Sequence, residues 1–130
     1  MKYTSTIATL VALFSSSASA VENARDLARS CQQVEAGTRG KGKNIRIPNT
    51  KEARQCWVYM QAMQNISVIV DQDGNRLIGS CPPEDTTLLQ LIHSFVAYAH
   101  AHPKELEGNA AVAVVKALQE AFPCHAGALD

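Results

Sequence analysis

The chain has 130 residues, with 12 Lys and Arg against 12 Asp and Glu, and 46% of its residues are hydrophobic. This length suits one domain around a single core. The balanced charge argues against nucleic acid or a membrane surface as the main partner.

The first twenty residues have the features of a secretory signal peptide. Lys2 provides a basic start, residues 7–14 form an apolar run, and residues 18–20 offer an Ala-Ser-Ala cleavage site. The apolar run is shorter than the ~20 residues of a membrane-spanning helix, and no cysteine follows the cleavage site to carry a lipid. We therefore predict cleavage after Ala20, a mature domain over residues 21–130, a periplasmic location and no membrane anchor.

Apolar residues recur at helical spacing in four segments, which predicts an all-α domain. Asn49 and Glu52 have capping-box spacing at the start of the second segment, and Thr87 and Gln90 have it at the start of the third. Pro123 ends the fourth. The apolar positions are Ala24, Leu27, Ala28 and Cys31 in the first segment; Ala53, Cys56, Trp57, Met60, Met63 and Ile66 in the second; Leu88, Leu91, Ile92, Phe95 and Ala99 in the third; and Ala111, Val114, Val115, Leu118 and Phe122 in the fourth, which begins near Asn109.

Residues 67–78 fit two structures. Two β-branched or aliphatic runs flank an Asp-Gly pair, as in a β-hairpin, but β-branched residues also end helices. Asp71 and Asp73 suggest calcium ligands, yet the segment lacks the glycine position and the distal glutamate of an EF-hand loop. We expect a solvated turn there, and the hairpin and the helix end both stay open.

All four cysteines, Cys31, Cys56, Cys81 and Cys124, lie in the predicted mature chain. An even count in a small exported protein favours disulfides over a zinc site, and no Cys-x-x-Cys or His-x-x-x-His spacing is present. Antiparallel pairing of the first two helices brings Cys31 to Cys56, and the same pairing of the last two brings Cys81 to Cys124. We predict a small four-helix domain of two antiparallel helical hairpins stapled by these two disulfides.

Candidates for catalysis or metal binding are few. His93 and His100 share a helix face and His102 lies near the helix end, a spacing that makes a poor metal site. Glu105 and Glu107 fall in a predicted loop, where we expect them to be solvated. Paired cysteines leave no thiolate, and the sequence has no motif of a serine hydrolase, a zinc protease or a phosphate loop. We expect no enzyme, no metal and no cofactor.

The segment between the first two predicted helices is basic and contains glycines. It is longer than most helix–helix connections, so it is either a mobile connector or a binding loop. Exposed bases in a binding loop speed association with an acidic partner. The candidate partner-binding residues are therefore Arg39, Lys41, Lys43 and Arg46.

Several elements in the second half of the chain resemble a known family. They are Cys81-Pro82-Pro83, the helix opening Thr87 to Gln90, Tyr98 followed by His102-Pro103, and the closing Ala121-Phe122-Pro123-Cys124. Upstream, CWVYMQAM from Cys56 is similar to a Cys-x-x-Tyr helix of the same family. This order of elements resembles the Rap/Tai-type immunity proteins, which protect bacteria from type VI secretion amidase effectors.

The resemblance implies a periplasmic, helical, disulfide-bonded and often dimeric protein that binds a cell-wall amidase of the cysteine–histidine type. The expected partners are therefore an amidase effector and a second copy of the chain, with no nucleic acid. The alternative is a periplasmic stress-related binding or chaperone-like helical module without a toxin partner. An adjacent amidase gene would favour the first function, and acid-induced exposure of apolar surface would favour the second.

Overall fold

A computed structural model of the chain describes residues 23–125. Within that range four α-helices follow one another: α1 (Ala24–Gly37), α2 (Lys51–Ser67), α3 (Leu88–Ala101) and α4 (Ala110–Ala121). Two short 3₁₀ turns, Gly42–Asn44 and Pro103–Glu107, lie in the connections, and residues 23–125 contain no β-strand. The all-α prediction is confirmed, whereas the predicted signal peptide, residues 1–20, lies outside the described residues.

The starts of α3 and α4 are capped by the residues that the sequence indicated. Thr87 and Gln90 form the complete capping box, in which each side chain bonds the backbone N–H of the other residue. The Asn109 side chain accepts hydrogen bonds from the N–H groups of Ala111 and Val112. Both helices therefore begin where local side-chain chemistry satisfies their first backbone donors.

The start of α2 is one residue later than predicted. Thr50 is the capping residue, because its hydroxyl oxygen accepts from the N–H of Ala53 at 3.1 Å. The Asn49 side chain instead accepts a hydrogen bond from the Arg54 guanidinium at 2.5 Å, which takes it away from the helix start. The competing contact with Arg54 explains the shift.

The four helices share one core. α1 packs against α2, and α3 packs against α4, as the two-hairpin prediction requires, and α3 also contacts both helices of the first hairpin. The largest fully buried apolar side chains of this core are Phe95, Leu27, Met60, Leu91, Ile92 and Leu118. Ile66, which the pattern placed on the apolar face of α2, is 38% exposed, because Met63 and Ser67 form the buried face of the last turns of α2 instead.

Both predicted disulfides are present, so each helical hairpin is closed by one. Cys31 and Cys56 join α1 to α2 with 5.0 Å between their Cα atoms. Cys81 and Cys124 join the segment before α3 to the segment after α4 with 4.9 Å between their Cα atoms. The second bridge is reinforced by a backbone hydrogen bond from Cys81 N–H to the Phe122 carbonyl at 2.8 Å.

The ambiguous segment after α2 combines the two structures that the sequence left open. α2 ends at Ser67, and a tight turn follows with a single antiparallel bridge between Val70 and Arg76. The Asp71 carboxylate accepts from the backbone N–H groups of Asp73 and Asn75, both at 2.9 Å. Those hydrogen bonds, led by the one from the Asn75 N–H, lower the pKa of Asp71 below its ordinary value. The Asp71 carboxylate therefore stabilises the turn through these hydrogen bonds.

Candidate functional site

The basic loop, residues 38–50 between α1 and α2, is closed on itself. The backbones of Arg39 and Arg46 exchange two hydrogen bonds, of 3.0 and 2.8 Å. Gly40 makes this closure possible, because its φ is +92° and a Cβ there would lie 2.1 Å from the Asn44 carbonyl oxygen. The loop, which the sequence left open as a mobile connector or a binding loop, therefore has a defined conformation closed by backbone hydrogen bonds.

The two ends of the basic loop are held against α1. A Cβ on Gly37 would lie 2.2 Å from Cγ of Pro48, so the proline ring packs directly on the glycine backbone. At the first end, the Thr38 N–H donates to the Val34 carbonyl at 2.9 Å. At the other end, the Thr50 hydroxyl donates to the Gln33 side chain at 3.4 Å. Both ends of the basic loop are thus attached to α1.

The four predicted partner-binding residues do not share one role. The Arg39 guanidinium donates to the carbonyl oxygens of Ala36 and Thr38, at 2.8 and 3.1 Å, and so stabilises the end of α1. The side chains of Lys41, Lys43 and Arg46 are exposed and make no hydrogen bond or ion pair with any described residue. These three carry the loop's available positive charge, and their binding of a partner stays a prediction.

An open cleft of about 390 Å³ lies between the basic loop and α2. Its walls are Ile47, Pro48 and Asn49 from the loop and Ala53, Arg54, Trp57 and Val58 from α2. Trp57 is partly buried against the core, while Val58 is 66% exposed. The cleft therefore combines apolar walls with one guanidinium group. The sequence indicated the basic loop but not this cleft.

A second exposed feature, the apolar turn, is formed by residues 68–77. Val68, Ile69, Val70 and Leu77 are 60%, 47%, 49% and 61% exposed, respectively. Clustered exposed aliphatic side chains mark binding surfaces more often than isolated ones do. The sequence showed these residues only as the arms of a possible hairpin, because exposure depends on whether a helix covers them.

The histidines do not converge on one another. His93 and His100 on α3 and His102 at its end each have a separate neighbour: Glu35 at 2.8 Å from His93, Gln32 at 3.5 Å from His100, and Glu120 at 3.2 Å from His102. Among residues 23–125, no three His, Cys, Asp or Glu side chains are grouped as metal ligands. Separately, no helix in this part of the chain is long and apolar enough to span a membrane.

Glu105 and Glu107, which the sequence predicted to be solvated, are partly exposed and exposed, respectively, and both also pair with other side chains. Glu105 accepts from the Tyr98 hydroxyl at 2.9 Å and from the Lys116 ammonium at 2.5 Å, and Glu107 pairs with Arg25. The hydrogen bond from Lys116, followed by that from Tyr98, lowers the pKa of Glu105. The pKa of Tyr98 is raised to about 12, mainly because the hydroxyl is buried and secondly because it donates a hydrogen bond to Glu105. This network holds α3, α4 and the turn between them together.

Comparisons with known proteins give one match that covers most of the chain. A family model described as "Rap1a immunity proteins" matches residues 23–124. Among curated proteins, the transcription factor ntnD from Nectria sp is 31% identical over 61 residues, which cover 47% of this chain. Because the matched region is only 10% of that protein, its function carries no argument here. No solved structure gives a significant match.

Proposed function

The chain belongs to the Rap1a immunity proteins, and from that membership we propose that it neutralises a secreted effector enzyme by binding it in the periplasm. The family match over residues 23–124 is the observation that carries the proposal. The two disulfides support it, because such bonds persist in oxidising compartments and are rare in the cytosol. The predicted signal peptide over residues 1–20 would supply the route of export.

The effector in this proposal is a peptidoglycan amidase delivered by type VI secretion, the target that the sequence resemblance implies. The protein would act as a stoichiometric inhibitor that covers the amidase active site, without chemistry of its own. The resemblance also implies a homodimer, which sedimentation equilibrium would detect.

We place the first contact with the effector on the basic loop. Lys41, Lys43 and Arg46 are exposed there, on a backbone already fixed by the Arg39–Arg46 hydrogen bonds. A fixed loop loses little conformational entropy on binding, which favours tight inhibition. Its positive charge would steer an acidic effector surface towards it, mainly by raising the association rate.

Co-expression in bacteria tests the proposed function. Cells that export a candidate amidase effector from the same genome should lyse, and co-expression of the full-length chain should restore growth if that amidase is the partner. A variant without residues 1–20 should fail to protect, although the same purified mature domain should inhibit the amidase in vitro. The proposal is wrong if the mature domain neither binds nor inhibits that amidase at micromolar concentrations.

Association kinetics test the role of the loop. Replacing Lys41, Lys43 and Arg46 together with serine should slow association about tenfold at low salt, and the difference should shrink at high salt. Arg39→Ser serves as a separate variant, since that side chain stabilises the end of α1 and its loss should lower stability first. Association rates equal to those of wild type at every ionic strength would show that the basic loop is not part of the interface.

The exposed apolar turn favours the alternative of a stress-related binding module. Val68, Val70 and Leu77 are each about half exposed or more, as a surface for unfolded clients requires. A titration with a hydrophobic dye separates the two functions. Dye binding that grows on acidification, together with suppression of client aggregation and no binding to the amidase, would favour the chaperone-like module.

A further inference from the structure

The cleft between the basic loop and α2 has the chemistry of a pocket for a single side chain. We propose that it binds an apolar residue flanked by carboxylates in a segment of the protein partner. The inference rests on the proposed function, because it assigns the part of the effector that enters this cleft.

The apolar half of the proposal follows from the walls of the cleft. Its volume of about 390 Å³ falls within the ~300–1,000 Å³ typical of small-ligand sites. Ile47, Pro48 and Val58 line it with aliphatic surface, and Trp57 adds an aromatic ring backed by the core. Tryptophan is enriched among residues that dominate binding energy, because it offers a large rigid surface. A bulky apolar side chain therefore fits these walls best.

The acidic half follows from the charge around the cleft. The Arg54 side chain lines it, and the bond to the Asn49 oxygen at 2.5 Å restrains the guanidinium there. A guanidinium has five N–H donors in a planar fork that matches a carboxylate, so one bond to Asn49 does not exhaust it. From residue 39 to residue 54 the chain has six basic residues and one acid, Glu52. A basic partner segment would be repelled, whereas an acidic one is complementary.

The cleft is formed before any partner arrives. Pro48 is held by its contact with Gly37, and Trp57 follows Cys56, which is disulfide-bonded to α1 and fully buried. Both walls are thus attached to the same helix, α1, by independent contacts. Such preorganisation reduces the entropy lost on binding, as a tight inhibitor needs.

Trp57 provides a direct reporter, because it is the only tryptophan in the chain. We would titrate the mature, disulfide-intact protein with three acetylated peptides of one length: phenylalanine flanked by aspartates, phenylalanine flanked by lysines, and alanine flanked by aspartates. The first should shift Trp57 emission saturably with a dissociation constant of about 1 mM. The lysine peptide should bind about fivefold more weakly, since one exposed ion pair contributes little, and the alanine peptide should give no shift. Equal responses to the aspartate and lysine peptides, or no saturable response, would overturn the proposal.

Two exposed valines on different helices give a matched pair of variants. Val58→Asp introduces a charge into the cleft, and Val112→Asp introduces the same charge on α4, where Val112 is 54% exposed. Val58→Asp should weaken the binding of both the aspartate-flanked phenylalanine peptide and the cognate amidase about tenfold. Val112→Asp should change the affinity for neither. Circular dichroism of both variants checks that the fold is intact.

The same variants separate this inference from the proposed function. If wild type and Val58→Asp bind the amidase equally well, the cleft is not the contact and the inhibitor function stands. If wild type binds no amidase, the proposed function fails, and the peptide titration alone decides the cleft. Arg54→Gln adds a test of its acidic half, because that variant should lose the preference for aspartate over lysine. A preference that survives in Arg54→Gln would overturn the role of the guanidinium.

Discussion

At Gly37, the absence of a side chain lets the basic loop return against α1. The ring of Pro48 occupies the place where a Cβ would stand, with only 2.2 Å to Cγ. Gly37 is also the last residue of α1, a position where alanine would otherwise favour the helix. Gly37 is therefore required because a side chain has no room there. Gly40 is required both for lack of room and for its positive φ.

Gly37→Ala should lower the free energy of unfolding by about 1–3 kcal/mol, the usual cost of overpacking, despite the better helix propensity of alanine. Urea denaturation followed by circular dichroism measures it. Gly108→Ala is the matched control, because a Cβ there would make an ordinary contact of 3.4 Å with the Glu105 carbonyl oxygen. An unchanged urea midpoint for Gly37→Ala would show that Pro48 moves aside without cost and that the loop is not pinned there.

Between elements, the Glu105 carboxylate links α3 to α4. It accepts from Tyr98 on α3 and Lys116 on α4, and these bonds lower its pKa. A lowered pKa means that the folded state favours the carboxylate over the acid. The resulting stabilisation is present above the ordinary glutamate pKa of about 4.3, and it is lost as the pH falls through the lowered value.

Lys116→Met should therefore raise the pKa of Glu105 towards its ordinary value, since the hydrogen bond from Lys116 is the largest cause of the shift. An NMR titration of the side-chain carboxyl carbons measures this change directly. Asp71 provides an internal control, because its low pKa arises from Asn75 and should not move. A Glu105 titration identical to that of wild type would assign the shift to Tyr98 instead.

The helix starts show what the sequence could predict at this scale. Thr87 caps α3 as predicted, and α4 begins after Asn109, close to the predicted start, because capping depends on neighbours within one turn. Asn49 fails as the cap of α2 because Arg54 takes its side-chain oxygen.

The cleft escaped prediction for a related reason. Its walls are brought together by the contact of Gly37 with Pro48. The helical spacing of apolar residues cannot predict such a contact between a loop and a helix end. The spacing placed Trp57 on the apolar face of α2, and the structure leaves it only partly buried there. A pattern of apolar residues thus predicts the side of a helix that faces inward, but not where a loop stops short of covering it.

For the molecule as a whole, the two disulfides differ in their access to solvent. Cys31 and Cys56 are both 0% exposed, whereas Cys124 is exposed and Cys81 is half-buried. Sequence separations of 25 and 43 residues correspond, in the chain-entropy model, to stabilisation of roughly 3.5 and 4 kcal/mol. The bridge that closes the longer loop is therefore also the one that a reductant reaches without unfolding the core.

Mild reduction should consequently break Cys81–Cys124 first and leave Cys31–Cys56 intact until the core opens. Low dithiothreitol under native conditions, followed by alkylation and mass spectrometry, should find label on Cys81 and Cys124 alone. The basic loop and its cleft lie within or beside the segment that the remaining bridge closes, so the half-reduced protein should still bind the Asp-Phe-Asp peptide. Its free energy of unfolding should nevertheless fall by about 4 kcal/mol. Label that appears first on Cys31 and Cys56 would mean that the first hairpin opens more readily than its burial implies. In that case the Cys31–Cys56 bridge would not be what holds the basic loop in place.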